Sequence, residues 1–164
     1  MKKVGIIMGS DSDAPIIKKA VTVLQELEIP FETHVYSAHR TPDAVRKFVA
    51  SAEKNGFGVL IAAAGMAAHL AGVVASFTVL PVIGIPCESG SFKGLDALLA
   101  TVQLPTGIPV ATVAVNGGAN AAILAAQILA VDDAELSERL QKKRKKDSAK
   151  VLDKDKNVNA LLGL

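Results

Sequence analysis

Residues 58–64 read Gly-Val-Leu-Ile-Ala-Ala-Ala, a run without a single polar side chain. A strand with one wet face alternates apolar and polar residues. A continuous apolar run of this length instead marks a central strand of a parallel sheet, covered by helices on both faces. That demand constrains the rest of the chain, because parallel neighbours can be joined only by long crossovers, usually helical. The sequence meets it. Other strand patterns stand at residues 4–8, 31–36, 79–85 (with Pro81 at the start) and 110–115.

The stretches between them have helical spacing. Ile16, Ile17, Ala20, Val21, Leu24 and Leu27 form one apolar stripe, with Asp11, Ser12 or Asp13 as the expected cap. Val45, Phe48, Val49 and Ala52 form a second, which Asn55-Gly56 should stop. Helices are expected at 70–76 and 95–104, and an Ala-rich one, opened by residues 116–120, should run to Ala130 with a face small enough for close helix contacts. Five strands separated by helices predict a three-layer α/β sandwich. A flavodoxin-like order, 2-1-3-4-5, would bring the carboxyl ends of the first three strands together.

Those ends carry the unusual residues. The strand at 31–36 alternates Phe31, Thr33 and Val35 against Glu32, His34 and Tyr36, so it should be half exposed with His34 facing solvent. It runs into Ser37-Ala38-His39-Arg40, then Thr41 as N-cap, Pro42 at the first helical position and Asp43 in the first turn. A hydroxyl, an imidazole and a guanidinium at a strand's carboxyl end suit an anionic substrate that must gain and lose protons. The first loop, Gly9-Ser10-Asp11-Ser12-Asp13, places hydroxyls where a phosphate would meet free N–H groups. It matches neither Gly-x-Gly-x-x-Gly nor a P-loop, which argues against a dinucleotide or ATP fold. The third loop, Gly65-Met66-Ala67-Ala68-His69, lets backbone amides approach a ligand, although His69 by itself reads as a satisfied buried histidine. Cys87 has no basic neighbour in sequence and reads as packing.

Half of the chain is apolar, but it has no Trp, one Tyr and five Phe, so the core is Ala, Val, Ile and Leu. Residues 132–156 hold nine Lys or Arg against seven Asp or Glu, which accounts for the whole net charge of +2. The first 131 residues are formally neutral, and no nucleic-acid surface is expected. One Cys excludes an internal disulfide and fits a reducing compartment. No signal peptide or membrane span is evident, so a cytoplasmic protein is expected. The organisation is read as an α/β domain, 1–131, and a polar helical tail, 132–164. The tail's narrow stripe, Leu136 and Leu140, is expected to pack on another subunit.

Five segments together resemble one family. Residues 9–13, 37–43, 64–70 (Ala-Gly-Met-Ala-Ala-His-Leu), 80–86 (Leu-Pro-Val-Ile-Gly-Ile-Pro) and 94–105 are similar to the catalytic subunit family of phosphoribosylaminoimidazole carboxylase, in its bacterial mutase subclass. The resemblance spans residues 4–130. It implies a flavodoxin-like sandwich, a homo-octamer, no cofactor and no metal, and a site crossing subunit boundaries. It implies that Ser10, Asp13 and Arg40 bind a ribonucleotide with Ser12, Ser37 and Ala38 nearby, that His39 shuttles protons, and that Ala64, Gly65, Met66, Ala67, Ala68, His69 and Leu70 hold a carboxylate or carbon dioxide. The implied reaction of purine synthesis moves a carboxylate from an exocyclic nitrogen to a ring carbon of an aminoimidazole ribonucleotide.

The chain departs from the family pattern at four places. Ala14 replaces a Trp, and Met66 and Ala71 stand where Gly and Pro are usual. Glu88 adds an acid near the expected site, and the segment before Asn120 is short. The nearest alternative is a direct carboxylase using free carbon dioxide, whose subclass carries Lys where this chain has Arg40. A non-catalytic flavodoxin-like binding domain would leave His39 and the third loop without a purpose.

Overall fold

The apolar run becomes β3, Phe57–Gly65, the central strand of a five-stranded sheet. The computed structural model describes residues 1–67 and 69–164. β3 pairs in parallel with β1 (Lys3–Met8) on one side and β4 (Val82–Cys87) on the other. β2 (Phe31–Val35) lies outside β1, and β5 (Ala111–Thr112) outside β4, giving the order β2-β1-β3-β4-β5. This is the flavodoxin-like arrangement expected.

The helices are α1 (Ala14–Glu26), α2 (Pro42–Ala52), α3 (Leu70–Ser76), α4 (Leu95–Val102), α5 (Gly118–Leu129), α6 (Ala134–Lys156) and α7 (Val158–Leu161). Successive residues of β3 feed opposite faces, as the strand period requires. Val59, Ile61 and Ala63 pack with Ile17, Leu24 and Ala122 under α1 and α5. Leu60 and Ala62 pack with Val45, Val49, Leu70 and Val74 under α2 and α3. Each fully buried Val, Leu or Ile contributes about 1.5–3 kcal/mol by leaving water, which is why this strand needs both layers. The small face of α5 meets α1 of the same chain, where a Cβ on Gly118 would collide with the carbonyl oxygen of Ile16.

Several local expectations are corrected. The faces of β2 are reversed beyond Phe31: Val35 is 52% exposed, while Glu32, His34 and Tyr36 are sheltered. The cause is Phe48 of α2, whose ring meets His34 edge-on at 4.7 Å as His34 stacks on Tyr36. His34 Nε2 also bonds Glu32 Oε1 at 2.8 Å, so it is a packed strand residue and not a solvent-facing one. β4 begins at Val82, because Pro81 has no N–H for the ladder and Val79 is 92% exposed. Pro86 and Cys87, beyond the expected end of the pattern at 85, complete this strand. β5 is two residues long, an edge strand pairing on one side only, although Val113 N–H to Gly84 O (3.1 Å) and Asn116 N–H to Pro86 O (2.9 Å) prolong its contact. α4 stops at Val102, short of the expected 104.

The tail is also different from expectation. Asp133 caps α6 by accepting the Leu136 N–H at 2.9 Å. Leu136 is fully buried in the chain's own core and Leu140 packs beside it, so the stripe does not wait for another subunit. Lys143 reaches back to Glu26 of α1 at 2.9 Å. From Val151 onward the apolar side chains are bare.

Candidate active site

Three loops meet where β1, β2 and β3 end, around a cavity of about 500 Å³. Larger clefts of about 710 Å³ between α5 and α6, and about 730 Å³ lined by residues 75–82, lack the imidazole–guanidinium–hydroxyl grouping found here.

The first loop is held by Gly9, whose N–H donates to Ala63 O at 2.9 Å. Ser10 is extended and caps a single 3-10 turn, Asp11–Asp13, that leads into α1. Its Oγ accepts from the Ser12 N–H (3.3 Å) and from the Ser12 hydroxyl (2.8 Å). The Asp13 carboxylate accepts the Ser10 N–H at 3.2 Å, closing a capping box. Ser10, in extended backbone, presents its oxygen to this 3-10 turn, whereas Asp13, one of the three expected residues, holds the N-cap position of α1 without a side-chain hydrogen bond to it. Asp13 is buried, and loss of water raises its pKa above the ordinary carboxylate value, partly opposed by the Ser10 N–H and the Cys87 thiol. Cys87 is fully buried, and burial, with the charge of Asp13 beside it, pushes its thiol up to about 12. It remains a protonated packing residue, as expected, with a contact to Asp13 that sequence reasoning missed.

In the second loop Thr41 stands at the N-cap of α2 but does not cap it. Its Oγ1 accepts the Ser37 N–H at 2.8 Å and donates to Ser37 O at 3.2 Å. Ser37 Oγ accepts the Arg40 N–H at 3.2 Å, so the turn closes on itself. Arg40 then extends across to the first loop, where Nη2 donates to Gly9 O at 3.2 Å. His39 is exposed on the cavity, its ring edge-on to that of His69 with centroids 5.9 Å apart.

The third loop lines the opposite wall through Ala64, Gly65, Met66, Ala67, His69 and the buried Leu70. Ala68, expected with them, lies outside the described residues. His69 is exposed and faces His39, which corrects the buried-histidine reading: the chain turns it out just before α3 begins. Met66 does not fill the pocket. It is 63% exposed and its backbone is left-handed, φ 54°, a conformation that costs a residue with a Cβ about 1–2 kcal/mol. Glu88 is not among the lining residues. Asn116 Oδ1 accepts its N–H at 2.9 Å, and Asn116 Nδ2 donates to its carboxylate at 3.3 Å.

All the expected site residues other than Ala68 therefore border one cavity, namely Ser10, Ser12 and Asp13, then Ser37 to Arg40, then the third loop. Two lining residues were missed, Gly9 and Ser89. Ser89 had a signal, a hydroxyl just past the end of the fourth strand. Arg40 and two imidazoles face a largely uncharged wall, which suits an anion and a proton carrier together. Among the described residues no group of three or more His, Cys, Asp or Glu is placed to hold a metal ion. Among the same residues no helix is long and apolar enough to cross a membrane.

Comparison with known proteins agrees with this architecture. The N5-carboxyaminoimidazole ribonucleotide mutase of Pyrococcus abyssi is 53% identical over 144 residues, 88% of this chain and 83% of that one. The mutase of the same name from Escherichia coli K12 is 48% identical over 153 residues, 92% of this chain and 90% of that one. The crystal structure of Treponema denticola PurE superposes with a TM-score of 0.83 at 29% identity, covering 94% of this chain and 96% of that chain. The family model described as AIR carboxylase matches residues 3–150, from the first strand into the long tail helix. A match that takes in all five strands and all three loops of the cavity places the chain in one family: it belongs to the AIR carboxylases.

Proposed function

We propose that this chain is an isomerase of de novo purine biosynthesis, converting N5-carboxyaminoimidazole ribonucleotide into 4-carboxy-5-aminoimidazole ribonucleotide without a cofactor. The observation that carries the reading is the position of His39. Arg40, next in the chain, is tied to Gly9 O, and His39 stands on the cavity that the phosphate-type loop of β1 and the small-residue loop of β3 also line, its ring edge-on to His69. The names of the relatives from P. abyssi and E. coli support it.

In this reading Ser10, Ser12, Asp13, Ser37 and Arg40 hold the phosphate and ribose, supplying position and not chemistry. The His39 imidazolium gives a proton to the carbamate nitrogen as the nitrogen–carboxylate bond breaks. The bonding pair leaving the carboxylate stays on that nitrogen, and carbon dioxide is released. Residues 64–70 keep it in a dry space beside the ring. The electron-rich ring carbon then attacks it, forming the new carbon–carbon bond. The proton left on that tetrahedral carbon returns to His39, restoring the aromatic ring and the imidazolium. An imidazole, with one ring nitrogen to donate and one to accept, can serve both transfers. The working form is a cytoplasmic homo-octamer whose site a neighbouring subunit completes.

The test follows the carbon. Substrate with an unlabelled carboxylate is turned over once in isotopically labelled bicarbonate. Retention of the original carbon in the product is expected. Full equilibration with the labelled pool at the rate of product formation would identify a direct carboxylase instead.

A further inference from the structure

Ser89 follows the carboxyl end of β4 and borders the cavity, yet its Oγ is shielded from solvent and has no hydrogen-bond partner among the described residues. Native proteins rarely leave such a group unpaired, and a bound ligand is a common reason for one. The hydroxyl lies against Gly65, where an added Cβ would overlap Ser89 Oγ and come within 2.9 Å of its Cβ. Glycine at 65 thus leaves room for the hydroxyl in the cavity wall.

The sheet order sets how far Ser89 is from the anion-holding end. β4 is two strands from β1, roughly 10 Å at the usual spacing of parallel neighbours. That is comparable with the span of a mononucleotide from its 5′-phosphate to its base. A ribonucleotide with its phosphate at Ser10 and Arg40 would therefore point the substituents of its base toward Ser89.

We infer that Ser89 is a specificity-determining residue whose hydroxyl donates a hydrogen bond to the carboxylate on the ring carbon of the bound ribonucleotide, an inference that rests on the function proposed above. Rotation about the Cα–Cβ bond brings Oγ onto the ligand, and no hydrogen bond to the described residues has to break. A carboxylate is purely an acceptor and needs a donor, whereas the ring C–H of the decarboxylated nucleotide accepts nothing. A site built around one hydrogen-bonding group discriminates strongly against the analogue that lacks it.

The experiment is calorimetric titration of the full chain, wild type and Ser89→Ala, with 4-carboxy-5-aminoimidazole ribonucleotide and with 5-aminoimidazole ribonucleotide. The variant should bind the carboxylated ligand about 10- to 100-fold more weakly, the range for a hydrogen bond to a charged group. Its affinity for the other ligand should change less than about twofold, outside that range altogether. The melting temperature of ligand-free Ser89→Ala should not fall, because the side chain it loses makes no hydrogen bond among the described residues. Equal weakening for both nucleotides, unchanged affinity for both, or a lower ligand-free melting temperature would overturn the inference. Wild-type protein that binds neither nucleotide would instead overturn the functional reading, and this inference with it.

Discussion

His39 and Arg40 are adjacent in sequence but differ in what holds them. Arg40 is fixed at both ends, through its N–H to Ser37 and its guanidinium to Gly9, whereas the His39 ring makes no side-chain hydrogen bond among the described residues and lies edge-on to His69. An anchored cation suits ligand binding, and an imidazole free on the cavity suits proton transfer. His39→Gln should accordingly leave nucleotide binding nearly intact and lower turnover by about two to four decades, the usual loss for an acid–base group. Arg40→Ala should weaken phosphorylated ligands first. Steady-state kinetics with parallel titrations check both, and near-normal turnover in His39→Gln would remove that residue from the mechanism. At this scale the sequence exposed residue types and not their neighbours. Glu88 read as an acid near the site because nothing in the chain announces that Asn116, 28 residues away, holds it by two hydrogen bonds.

Of the helix pairs, α1 and α5 make the most extensive contact. The start of α5 meets the backbone of α1, and Ala121, Ala122, Ala125 and Ala126 continue the buried seam. Gly118→Ala would press a Cβ onto the Ile16 carbonyl oxygen, and a backbone atom cannot turn aside. The two helices would have to separate, at a cost of about 1–3 kcal/mol, typical of overpacking. Thermal denaturation should show a lower melting temperature, and an unchanged one would mean that the seam is looser than described. The helices and the central strands were legible because periodicity records which face is buried. Edges were less so. β2 turned its ring-bearing face toward Phe48, and β5 shortened to two residues, because an edge strand takes its form from what packs beside it.

For the whole molecule, the open question of packing lies in the tail. Leu136 anchors α6 to the domain, but Val151, Leu152, Leu161 and Leu162 are each more than 60% exposed in the single chain. Such apolar residues, Val151 and Leu152 on the last turns of α6 and Leu161 and Leu162 at the end of α7, fit burial between copies. In light scattering the wild type should be an octamer, and Leu152→Lys should shift it to smaller species. An octamer unaffected by the variant would put its interface elsewhere. The sequence by itself determined the parallel sandwich and the three loops that could carry chemistry, because burial on both faces and turn residues at strand ends are written locally; it favoured the strand order, which the tertiary structure decided. Only the tertiary structure decided that Ser10 and not its neighbours caps the first turn, that His69 turns out to meet His39, and that Ser89 from a fourth strand joins the cavity. The cap turns on the extended backbone of Ser10, and the other two on atoms brought together from distant parts of the chain; neither leaves a periodic trace in the sequence.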